Sequence, residues 1–79
     1  MIKREILWDN VDGDAIVWCQ NNEDVEITCI SGDKEMYYDP DKLLDTVLFI
    51  QVMDKMHIGD NDRNNIRKYI IELWDEFKK

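Results

Sequence analysis

The sequence predicts an α+β fold: an antiparallel meander of four or five strands packed on one face by a C-terminal helix. Three observations carry this. Between Asp60 and Lys79, Ile66, Tyr69, Ile70, Leu73, Trp74 and Phe77 fall on one broad stripe at ~100° per residue, with Ile71 the apolar outlier. Before residue 39, four short runs rich in β-branched and aromatic residues are separated by turn formers. At 79 residues the chain is near the lower limit for a self-sufficient core, so one domain over residues 1–79 must bury the stripe against the strands.

Residues 2–8 read as the first strand, the period of two placing Ile2, Arg4, Ile6 and Trp8 on one face. Asp12-Gly13 marks the turn over 9–14, because glycine accepts the positive φ of tight hairpins. Strands follow at 15–20 and 25–31, divided by the polar turn Asn21-Asn-Glu-Asp24, and Gly32-Asp33 leads to a fourth at 35–38. Turns centred there set Trp18 opposite Ile27, Ile16 opposite Cys29, Cys29 opposite Met36 and Ile27 opposite Tyr38. One sheet face then carries Ile16, Trp18, Val25, Ile27, Cys29, Met36 and Tyr38, and the helix should cover it. The other carries Val17, Cys19, Glu26, Thr28, Ile30, Glu35 and Tyr37. Asp39 and Pro40 suit the opening of a helical turn at 40–45. Thr46–Met53, a continuous apolar run, is read as a fifth strand; the alternative is a helix with Leu43, Leu44, Val47, Leu48 and Gln51 in helical spacing. Met56–Asp60 is a loop, and Asp60, Asn61 and Asp62 are placed to cap a last helix over about 62–78.

Composition limits the function. A 44% hydrophobic content argues against disorder. No apolar run is long enough to span a bilayer, and Met-Ile-Lys-Arg-Glu lacks a signal peptide's apolar stretch. A cytoplasmic protein with reduced thiols is expected. Residues 9–45 hold eleven acids against Lys34 and Lys42, a net of −9 in a chain of −8. Such a field repels nucleic acid and anionic membrane and attracts basic partners. The plainer alternative is that acidic loops serve solubility.

No residue set points to catalysis, a cofactor or a metal. His57, the one histidine, sits in a loop without a sequence-near nucleophile. Cys19 and Cys29 fall on different faces and are read as small hydrophobes. Asp9–Asp14 resembles a calcium loop, but with Gly13 as its sixth residue the first and twelfth positions are Trp8 and Cys19, which fail the ligand pattern. Gly13, Gly32 and Gly59 are isolated and form no phosphate loop. Glu26 and Glu35 share an open face, where both stay solvated. Surface recognition remains. Trp8 beside Asp9, Asp12 and Asp14, with Glu23, Asp24, Asp33 and Glu35, is the expected partner-binding set, an aromatic anchor among carboxylates; the alternative for Trp8 is that it closes the edge of the core.

The meander ending Asp33-Lys-Glu-Met-Tyr-Tyr-Asp39, the stretch Val47–Met53 closing in Asp54-Lys-Met-His57, and the helix opening Asp62-Arg-Asn-Asn-Ile66 resemble small acidic immunity proteins of bacterial polymorphic toxin systems. The likeness covers about half the chain. Some such families carry tryptophan where this chain has Met56 or His57. The resemblance implies a cytoplasmic inhibitor that binds one toxin near its active site. The sequence reading is therefore a non-enzymatic acidic protein, monomer or weak homodimer, that neutralises a basic partner without direct contact to nucleic acid or membrane. Two alternatives stand beside it: a phage or mobile-element inhibitor mimicking nucleic acid, and a small regulatory or structural subunit.

Overall fold

The computed structural model describes residues 2–79; of the expected domain, Met1 lies outside the described residues. Strands β1 (Lys3–Asp9), β2 (Ala15–Gln20), β3 (Val25–Ser31) and β4 (Lys34–Tyr38) precede helices α1 (Pro40–Leu43), α2 (Thr46–Lys55) and α3 (Asp60–Lys78). The strands make one antiparallel sheet in sequence order. Local chemistry folds the hairpins. The Asn10 side-chain oxygen accepts from the Asp12 and Asp14 N–H groups at 3.0 Å, and Asn21 accepts from Glu23 and Asp24 at 2.8 Å. An asparagine amide can stand in for a backbone carbonyl, which is why it opens such turns. Gly13, at φ 89°, completes the first.

The expected register holds: Trp18 pairs with Ile27, Ile16 with Cys29, Cys29 with Met36, and Ile27 with Tyr38. Ile16, Trp18, Val25, Ile27 and Cys29 are buried, with Met36 and Tyr38 packed at their margin. Ile66, Ile70 and Leu73 of α3 bury against the same core. Cys29 sits there as a free thiol whose burial pushes its pKa up to about 12, while Cys19 lies on the opposite face, also free. Helix α3 is fastened to β1 twice. The Tyr69 hydroxyl donates to the Glu5 carboxylate, and the Trp8 indole N–H donates to Asp62 at 3.3 Å.

Three expectations are corrected. Residues 46–53 are helix, so the sheet has four strands. The Asp45 carboxylate accepts from the Val47 and Leu48 N–H groups at 3.1 and 3.2 Å and caps α2. Phe49, Val52, Met53 and Met56 then bury at helical spacing, while Val47 stays 65% exposed. Second, β1 does not keep one parity. Ile6 pairs with Val17 but Trp8 with Ile16, so Leu7 is the extra residue of a bulge. Arg4 and Ile6 therefore face away from the helices while Trp8 faces them. Third, α3 starts at Asp60, and its cap is Gly59 with no side-chain bond; Asp60 and Asp62 occupy its first turn, where carboxylates suit the helix dipole.

Helix α2 ends in a six-residue cap. His57 N–H reaches the Asp54 carbonyl and Ile58 N–H the Met53 carbonyl, both at 3.1 Å, with His57 at φ 56°. That is a Schellman motif with histidine at the left-handed position usually held by glycine. Among the described residues no helix is long and apolar enough to cross a membrane.

Candidate protein-binding surface

In an antiparallel meander, successive turns alternate between the two ends of the sheet. The β1–β2 and β3–β4 turns share one pole; the β2–β3 turn lies about 20 Å away, the length of a six-residue strand. The expected binding set is split accordingly. Asp9, Asp12, Asp14 and Asp33 come together, with Glu35 just inside the pole, while Glu23 and Asp24 occupy the far end.

At the first pole one carboxylate is structural. Asp14 Oδ1 accepts from the Gly32 N–H at 3.0 Å and Oδ2 from the Asn10 side chain at 3.2 Å, tying two turns together. Those bonds, the Gly32 one foremost, hold its pKa below the usual carboxylate range. His57 lies near enough to add to that effect, which brings the α2–α3 loop to the same pole. Trp8, half-buried, stands here against the start of α3 through its bond to Asp62. Asp60 and Asp62 thus join the four turn aspartates. Sequence reading missed them as members of this cluster because it used them as caps.

At the second pole Glu23 and Asp24 line an open cleft of about 400 Å³ together with Asp39, Asp41, Trp74 and Phe77. The Trp74 indole N–H donates to Asp41 at 2.8 Å and its ring stacks on Phe77 at 5.5 Å. Asp39 could have been placed here from the register alone: Ile27 opposite Tyr38 sets the end of β4 beside the β2–β3 turn. Trp74 and Phe77 arrive only through the packing of α3.

The sheet face away from the helices carries Arg4, Ile6, Val17, Cys19, Glu26, Thr28, Ile30, Glu35 and Tyr37. The Tyr37 hydroxyl donates to Glu35, which raises its pKa. Among the described residues no group of three or more His, Cys, Asp or Glu side chains is arranged to hold a metal ion. No known family model, curated protein or solved structure matches the chain.

Proposed function

We propose that the protein is a non-enzymatic acidic binding protein that neutralises a basic protein partner, as an immunity-type inhibitor does a toxin. The observation that carries the reading is the acidic pole: the meander gathers Asp9, Asp12, Asp14 and Asp33, and the start of α3 adds Asp60 and Asp62, with the half-exposed Trp8 at the margin. These six carboxylates outnumber the bases beside them, Lys34 at the β3–β4 turn and Lys55, and such an excess on one end of a small molecule steers an oppositely charged partner into encounter. Glu35 lies just inside this pole, and Glu23 and Asp24 extend the field to the far one.

A partner captured from the native host gives the test. Its association rate should fall as salt rises, because exposed charges are screened within about 8 Å at physiological ionic strength. Asp12→Asn with Asp33→Asn should slow association, more at low salt than at high. Asp14 is left intact, since it also holds the turns. An acidic partner, or association indifferent to salt and to both substitutions, would leave the charge to solubility alone.

A further inference from the structure

The two-residue period of the strands sorts their charges. Lys3, Glu5 and Lys34 lie on the side that bears the helices. Asp9, Glu26 and Glu35 lie on the open side, where Arg4 at the β1 corner is the one base among the described strand residues. Between those charged ends one row crosses all four strands, Ile6, Val17, Thr28 and Tyr37, with Ile30 beside it, and it is apolar but for Thr28. Ile6 is 61% and Tyr37 54% exposed, Ile30 is half-buried, and Val17 between Ile6 and Thr28 is only 3% exposed although no helix covers it. The Tyr37 hydroxyl donates to Glu35, which places an aromatic ring and a carboxylate side by side on this face. An apolar centre within a charged rim is the anatomy of a protein-binding surface. A second copy would press the same carboxylates against one another; a cationic surface would meet them with opposite charge.

We propose that this open face, with Ile6 and Tyr37 exposed and Ile30 half-buried around the buried Val17 and Asp9, Glu26 and Glu35 beside them, is where the basic protein partner seats, laying apolar side chains between lysines or arginines. This rests on the function proposed above and names its short-range contact, the poles supplying the long-range attraction.

Two capped hexapeptides of equal charge test it, (Lys-Val)3 and (Lys-Ser)3, titrated into isotopically labelled protein and followed by NMR at about 0.15 M ionic strength. The apolar peptide should move the signals of Ile6, Val17, Ile30 and Tyr37 and bind about tenfold more tightly than the serine peptide. Ile6→Ser should remove that advantage. Val47→Ser, an equally exposed apolar site on α2, should not. If both peptides bind equally and only at the turns around Asp12 and Asp33, the open-face proposal falls while the basic-partner reading stands. If neither binds, both fall. If the protein alone sediments as a dimer that Ile6→Ser separates, the occupant is a second copy and the proposal is overturned.

Discussion

Asp14 joins two turns with one carboxylate, and that gives it a pH signature. Its pKa is lowered in the fold, so the folded chain holds the proton less tightly than the unfolded chain. The stabilisation is fully present above the ordinary aspartate range and is lost as pH falls through the lowered value. Asp14→Asn should therefore flatten the fall in Tm between about pH 4 and pH 2; an unchanged acid limb would show that the tie contributes nothing. His57 offers the opposite test. A left-handed residue with a Cβ costs about 1–2 kcal/mol, offset in part by glycine's greater freedom when unfolded. His57→Gly should raise the urea midpoint, by up to about 1 kcal/mol in stability, and His57→Val should lower it. Neither residue's role was legible in the sequence. Asp14 finds Gly32 across 18 residues, and His57 reads as a loop residue once 46–53 is taken as a strand, which has no helical end to cap.

Helix α2 shows where pattern reading failed. Thr46–Met53 is rich in strand formers, but strand propensity reports fit to a pleated, half-buried surface more than an intrinsic backbone choice. The helical alternative was framed from Pro40, through Leu43, Leu44, Val47, Leu48 and Gln51. The break at Leu44–Asp45 resets that frame, and Phe49, Val52, Met53 and Met56 form the buried stripe. Asp45 was the local signal, a capping residue directly before the run. Asp45→Ala should cost about 0.5–2 kcal/mol, read from the denaturant midpoint with the slope unchanged; no loss would mean that core packing alone sets the start of α2. The meander was legible because its turns are encoded within four or five residues, by Asn10 and Asn21 as much as by Gly13. Its faces followed from a register that one slip would have inverted. The bulge was not legible, since Ile6-Leu7-Trp8 is uniformly apolar and any of the three could have been the extra residue. The acidic poles follow from the meander once the turns are placed. The Trp74 side of the far cleft does not, because it depends on how α3 lies.

Across the whole molecule, sheet pairing is local and helix docking is not. Each hairpin closes over a few residues, whereas Tyr69 reaches Glu5 across 64 residues and Trp8 reaches Asp62 across 54. Loop closure costs more entropy as the loop lengthens, and contacts of large separation slow folding. The hairpins should therefore be formed in the folding transition state, with the α3–β1 fastening made after it. Tyr69→Phe removes one fastening bond and keeps the ring. It should speed unfolding and leave the refolding rate nearly unchanged in stopped-flow tryptophan fluorescence. Slower refolding with unchanged unfolding would place the docking of α3 inside the nucleus. Late fastening has a kinetic consequence for β1, the outer strand that α3 holds. Until the helix docks, Leu7 and Trp8 lack the packed core that half-buries them, and the interval in which a protease or another nascent chain can reach them is set by the docking time of α3.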